Sequence, residues 1–225
     1  MSDDVGLVWL RRDLRLSDNP ALAEATRRHE RVLLCFCFAP GLTRGRHASP
    51  ARNAFLLIAL AELDREVREL GGRLAFREGD PAREIAVLAA EIGAGVVHMN
   101  EEHTAHGRSR DSRVAEALRA EGIELVGQTG VTCADVAAIS KADGGPYKVF
   151  TPFYRAWREA PRRSIELRPR ILRAPERGPG RGKVPSHSQL GIDTEAKRIA
   201  EGADPGEPAS RWRLDAYMKL SLIHI

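Results

Sequence analysis

Arg11, Arg12, Asp13 and Arg15 follow directly on an apolar run that spans residues 5–10. A guanidinium offers planar, bidentate hydrogen bonding, so such a cluster either binds an anionic ligand or ties up carboxylates in ion pairs. Two further stretches offer related chemistry. Ser49-Pro50-Ala51-Arg52 puts a full positive charge at the start of a long helical pattern, where unpaired amide N–H groups already favour anions. Residues 100–111 follow another apolar run and mix Glu101, Glu102 and Asp111 with His103, His106, Arg108 and Arg110. His98, His103 and His106 beside these carboxylates raise a metal site as an option. The sequence has no paired-cysteine zinc spacing, however, and no metal is expected. Gly178-Pro179-Gly180-Arg181-Gly182-Lys183-Val184 imitates a phosphate-binding loop. It lacks the preceding strand, the four-residue gap between glycines and the hydroxyl after the lysine, and is rejected. No G-x-G-x-x-G follows the first apolar run, so a nicotinamide fingerprint is absent.

The hydrophobic pattern says what must hold these stretches together. Strand candidates lie at 5–10, 32–38, 73–77, 95–99 and 123–127, with helical patterns between them. Such alternation indicates a parallel sheet, and open sheets of this kind bind ligands outside the carboxyl ends of their strands. The first helix has a clear start, because Asn19 is a good N-cap and Pro20 fits the first turn. The longest helical pattern, about 51–70, spaces Leu56, Leu60, Leu63, Val67 and Leu70 four and three apart. Its other face holds Glu62, Asp64, Arg65, Glu66, Arg68 and Glu69, and Gly71-Gly72 stops it. Further helices fit 81–92 and roughly 108–120, and Thr151-Pro152 should cap a short one carrying Phe153, Tyr154 and Trp157. The expected fold is α/β: a Rossmann-like five-stranded parallel sheet with helices on both faces.

A chain of 225 residues has room for one such domain and a remainder. Beyond Ala160, five prolines interleaved with arginines and glycines read as an exposed linker. Helical character returns near Asp193. The expected division is an α/β domain over 1–160, a linker over 161–192 and the start of a helical domain over 193–225. The net charge of +4 is concentrated, since residues 155–183 hold ten basic and three acidic side chains and leave the rest at −3. Such a stretch can neutralise DNA phosphates, but a solvated linker is the commoner outcome. The three cysteines, Cys35, Cys37 and Cys133, come with no secretory signal and read as reduced thiols. No apolar run approaches the roughly 20 residues that cross a bilayer, and a cytoplasmic location is expected.

Two stretches resemble a known family. Trp9-Leu10-Arg11-Arg12-Asp13-Leu14-Arg15-Leu16-Ser17-Asp18-Asn19-Pro20-Ala21-Leu22 resembles the W-x-R-x-D-L-R-x-x-D-N-x-A-L opening of DNA photolyases and cryptochromes. Tyr147-Lys148-Val149-Phe150-Thr151-Pro152-Phe153-Tyr154-Arg155-Ala156-Trp157 resembles the Y-x-V-F-T-P-F-x-x-x-W segment that closes the same family's N-terminal domain. A weaker likeness lies at Pro205-Gly206-Glu207-Pro208-Ala209, similar to the P-G-E-x-A motif that begins the family's helical flavin-binding domain. The resemblance implies the light-harvesting part of a deoxyribodipyrimidine photolyase. In such enzymes the helical domain holds reduced FAD, takes up damaged DNA and splits pyrimidine dimers by light-driven electron transfer. A full member continues well past this chain, so the chain is expected to be a truncated monomer, inactive alone and without catalytic residues of its own. Ser221-Leu222-Ile223-His224-Ile225 departs from the family pattern. A cryptochrome photoreceptor is the alternative, and a free-standing nucleotide-binding module a more distant one.

The family also implies an antenna pigment. Some photolyases hold a deazaflavin with an arginine at the position of Arg52. Folate binders carry Asn-Glu where this chain has His106-Gly107, whereas deazaflavin binders carry an aspartate at Glu102 and Tyr-Gly at His106-Gly107. A carboxylate, a ring and a glycine therefore favour deazaflavin over folate, with an empty pocket as the third reading. The expected pigment contacts are Arg52, Glu102, His106, Gly107, Arg11 and Arg12. For Arg11, Arg12, Asp13 and Arg15, an internal ion-pair network is the competing reading and the favoured one.

Overall fold

All five apolar runs form strands within a residue of their expected bounds. The computed structural model describes residues 4–45, 48–136, 138–141 and 144–220, so the unusual stretch 221–225 lies outside the described residues. In chain order the elements are β1 (Val5–Leu10), α1 (Pro20–Arg28), β2 (Arg31–Phe38), α2 (Pro40–Thr43), α3 (Pro50–Glu69), β3 (Leu74–Glu78), α4 (Pro81–Ile92), β4 (Val96–Asn100), α5 (Ala105–Ala120), β5 (Glu124–Gln128), α6 (Phe150–Glu159), α7 (Thr194–Gly202) and α8 (Glu207–Met218). The strands pair in parallel in the order β3-β2-β1-β4-β5. Alternate side chains feed two cores, as the period of two requires. Leu7, Trp9, Leu33, Cys35 and Val97 pack on α4 and α5 through Ile85, Leu88, Val114 and Leu118. Val8, Leu10, Leu34, Phe36 and Phe76 pack on α1 and α3 through Leu22, Leu60, Leu63 and Val67. This is the expected five-stranded parallel sheet with helices on both faces.

The helix ends show why the elements start where they do. Asn19 accepts the Leu22 N–H at 3.2 Å and Pro20 opens α1. Thr104 accepts the Gly107 N–H at 3.0 Å and starts α5 three residues before the expected Arg108. His106 and Gly107 therefore sit in a helical first turn. The expected Thr151 cap is corrected: α6 begins at Phe150 after Val149, with no side-chain cap.

The stretch 161–192 is not a solvated linker along its whole length. Leu172 is buried against Leu70 and Val67 in the second core, and its N–H donates to the Leu70 carbonyl at 2.7 Å. The Val32 N–H donates to the Arg173 carbonyl at 2.8 Å and the Phe76 N–H to the Arg181 carbonyl at 2.7 Å. The strap thus covers the outer edge of β3, which would otherwise present unpaired backbone groups. It also explains a correction on α3, where Asp64 and Glu66 of the expected polar face are buried. Arg181 meets Asp64 at 2.9 Å and Arg168 meets Glu66 at 2.5 Å, so strap arginines neutralise both carboxylates. Gly182, part of the rejected phosphate-loop imitation, has φ +79 and approaches so closely that a Cβ would lie 2.1 Å from the Phe76 carbonyl oxygen. Its glycine serves an edge contact.

Candidate functional site

From β1 the sheet is built outward to β2 and β3, then the chain crosses back to lay β4 on the other side of β1. Loops leave the carboxyl ends of β1 and β4 in opposite directions there, and such switch points open the ligand crevice of α/β sheets. The expected site residues after β1 and β4 meet at this point.

Most of the first loop is engaged internally. The Arg11 side chain, 7% exposed, donates to Asp111 Oδ1 at 2.7 Å and to the Asn100 carbonyl, and lies 4.6 Å over the Trp9 ring. Burial lowers the pKa of this guanidinium, while Asp111 pulls it back up. Asn100 is buried and joins three partners. Its Nδ2 donates to Asp13 Oδ2 at 2.5 Å and Asn19 Oδ1 at 2.8 Å, and its Oδ1 accepts the Ala21 N–H at 3.0 Å. Arg15 donates to the carbonyls of Asp18 at 2.7 Å and Gly130 at 2.9 Å. Asp18, in the left-handed region at φ +50, holds Arg163 at 2.7 Å and so ties the loop to the strap. Arg12 differs. Its side chain is 69% exposed and touches Glu102 Oε1 at 3.2 Å.

Glu102 lies behind Arg12, 9% exposed, accepting from Arg110 at 2.9 Å and from the Thr104 hydroxyl at 3.1 Å. Burial pushes its carboxyl up, but Arg110, Thr104 and Arg12 outweigh that and hold it below the usual range. Gly107 is what lets Glu102 sit there, since a Cβ would stand 2.8 Å from its carboxyl carbon and 2.9 Å from the Thr104 hydroxyl. His106 is exposed on the first turn of α5. Arg11, Arg12, Glu102 and Gly107 therefore converge, whereas Arg52 comes from a separate element, the exposed first turn of α3. Phe55 and Leu56, one turn further on the same face as Arg52, line a cleft of about 390 Å³ with Arg11, Arg12 and Leu14. Its far wall is Gly206, Glu207 and Ser210, where α8 begins. One exposed cation, Arg12, over a floor of Leu14, Phe55 and Leu56 suits a flat, oxygen-bearing ring, and the volume is in the range of small-molecule pockets.

Sequence reasoning gave no role to Asn100 or Glu207; a polar residue closing a buried strand is the signal that marks Asn100. His98 lies inside β4 and faces His29 across 2.9 Å between their Nε2 atoms, apart from His103 and His106. Among the described residues no group of three or more His, Cys, Asp and Glu is arranged to hold a metal. Cys35 and Cys37 are buried, and burial pushes the Cys37 thiol up to about 12. Among the described residues no helix is long and apolar enough to cross a membrane.

An open parallel α/β sheet, with a cleft beside its switch point, defines a Rossmann-like domain. Residues 6–174 match the family model described as DNA photolyase, and the chain belongs to that family. It is 34% identical over 218 residues to the deoxyribodipyrimidine photo-lyase of Synechococcus sp., a match covering 94% of this chain and 44% of that protein. A cryptochrome DASH of Natronomonas pharaonis is 31% identical, with 96% and 47% covered. The crystal structure of a bacterial class III photolyase from Agrobacterium tumefaciens matches with TM-score 0.82 at 29% identity, over 96% of this chain and 44% of that one. The chain thus spans less than half the length of these relatives.

Proposed function

We propose that this chain is the light-harvesting part of a deoxyribodipyrimidine photolyase and that the cleft at the switch point holds its antenna pigment, a deazaflavin in preference to a folate. The cleft, lined by Arg12, Leu14, Phe55 and Leu56 in a chain of this family, carries the reading. Arg12 meets the ring oxygens as an exposed bidentate donor, steadied from behind by Glu102. Phe55 and Leu56 cover the ring face and Arg52, one turn before them on α3, adds a second cation, whereas His106, on the first turn of α5, does not line the cleft. Arg11 and Gly107 act by keeping Arg12 and Glu102 in place. The division of labour is an α/β domain over 1–160, a connecting strap over 161–192 and the opening of a helical part over 193–225. FAD, when bound by that helical part, supplies the electron that opens a pyrimidine dimer in damaged DNA. The protein works as a cytoplasmic monomer. Photolyase is preferred to cryptochrome because the higher identity is to a protein named for that activity.

Titration of the chain with a deazariboflavin, followed by pigment fluorescence, tests this. Saturable binding that Arg52→Ala weakens about tenfold, the worth of one charge-assisted hydrogen bond, is the expected result. Tighter binding of a methenyl-folate would reverse the choice of pigment. The 225-residue chain itself is expected to release no monomers from dimer-containing DNA under light. Robust repair by it would overturn the division of labour.

A further inference from the structure

Glu207 stands at the first residue of α8, 190 and 191 positions from the two loop residues it touches. Its Oε2 accepts the Leu16 N–H at 2.7 Å and the Ser17 N–H at 3.2 Å, and its side chain is 9% exposed. Two adjacent amides converging on one carboxylate oxygen form a charge-assisted clamp, stronger than bonds between neutral groups. Those amides belong to the loop that presents Arg12, Leu14 and Arg15 to the cleft. Immediately before Glu207, Gly206 has φ +121 and approaches α3 so closely that a Cβ would lie 3.0 Å from Glu62 Cγ. No residue of α8 is buried. The helix therefore owes its seat largely to this turn and to Glu207.

We infer that Glu207 is a positioning residue that builds the pigment cleft: it fixes the β1–α1 loop from outside and fastens α8 as the far wall. This rests on the pigment reading above. The cleft is then composite, its floor from the α/β domain and its wall from the start of the helical part, so ligand binding and α8 docking are coupled. Arg211, an exposed ion-pair partner of Glu207, meets the other carboxylate oxygen, Oε1, at 3.3 Å, and exposed pairs of this kind contribute little.

Amide hydrogen exchange at Leu16 and Ser17 in the whole chain, with deazariboflavin titration in parallel, tests the clamp. Glu207→Ala is expected to speed exchange of both amides about tenfold or more, the consequence of losing a bond to a charged acceptor, and to weaken the pigment to a similar extent. Glu207→Gln keeps an accepting oxygen and should recover much of both effects. Arg211→Ala should change neither. Unchanged exchange in Glu207→Ala overturns the clamp. Faster exchange with undiminished pigment affinity overturns its link to the cleft. Faster exchange in a chain whose parent form binds no deazariboflavin supports the clamp and sinks the pigment reading instead.

Discussion

The two motifs that carry the family likeness behave in opposite ways. In the first, residues 9–22, nearly every polar side chain is engaged inside the protein: Arg11 with Asp111, Asp13 and Asn19 with Asn100, Arg15 with backbone carbonyls, and Asp18 with Arg163 of the strap. Only Arg12 turns to solvent. In the second, α6 buries no residue, and Phe150, Phe153 and Tyr154 stay exposed. Its aromatic rings touch chiefly one another, Phe150 with Tyr154 at 5.7 Å and Tyr154 with Trp157 at 6.0 Å, while Arg162 stacks over Trp157 at 4.2 Å. Equal prominence in the sequence thus hides two physical roles. One motif builds the domain it lies in, and the other adds almost nothing to that domain's core.

The contrast is most exposed to test where the first motif is most deeply engaged. Asp111→Ala leaves Arg11 buried without its carboxylate and removes a partner of Arg110, at a cost of about 4 kcal/mol, typical of breaking a buried ion pair on one side only. Urea unfolding of the chain reads this directly. A loss below 1 kcal/mol would mean that the inner network is ornamental. The strap gives the next largest effect. Leu172→Ala should cost about 3 kcal/mol through a cavity in the second core and should open the strap to proteolysis. If stability is untouched and only proteolysis accelerates, the strap is a tether laid on the surface.

What the sequence makes legible divides along the same line. Strands are plain because runs such as Val32, Leu33 and Leu34 are local signals, and Asn19-Pro20 announces its helix through capping chemistry that depends on a few neighbours. Arg12, Glu102 and Gly107 are gathered by the resemblance to the photolyase family, and the switch point supplies the physical reason that the ends of their two strands meet. The engagement of Arg11 with Asp111 joins residues 100 apart in sequence, and no local pattern reports it. The anchoring of the strap is hidden for the same reason. Proline and glycine make it look like a linker, while its anchoring comes from Leu172 and from backbone bonds to β2 and β3. Asp64 and Glu66 look solvent-facing because the strap arginines that cover them, Arg181 and Arg168, lie more than a hundred residues away; only Arg68, which also meets Asp64, is local.

Inside β4, away from the residues that line the cleft, His98 sharpens the comparison through pH. Burial, with His29 and Arg28 close by and Glu24 opposing them, pushes its pKa down to about 4, while Asp4 holds the far side of His29 at 2.8 Å. An unfolded histidine takes up its proton near 6.5, so between pH 6.5 and 4 the unfolded chain is protonated and the folded chain is not. Stability from this residue is full above pH 6.5 and falls as the pH drops, by about 2 kcal/mol at pH 5. Urea midpoints at pH 7 and pH 5 measure the slope, and His98→Asn should flatten it. Glu102, held low, contributes in a separate and more acidic window, where stability is lost as the carboxyl is finally protonated.

The smallest effect belongs to the second motif, and it decides whether the contrast is real. Replacing Phe150 and Tyr154 together by serine removes the centre of the aromatic stripe on α6. Because these rings are 72% and 41% exposed, little apolar surface returns to water, and the substitution should move the unfolding free energy by no more than about 0.5 kcal/mol. Loss of the ring–ring contacts accounts for most of that change, since each aromatic pair contributes about 0.5–1.5 kcal/mol when well packed and less when wet. A destabilisation of 2 kcal/mol or more would show that α6 supports the sheet domain after all, and the two motifs would then differ only in how much of their support faces solvent.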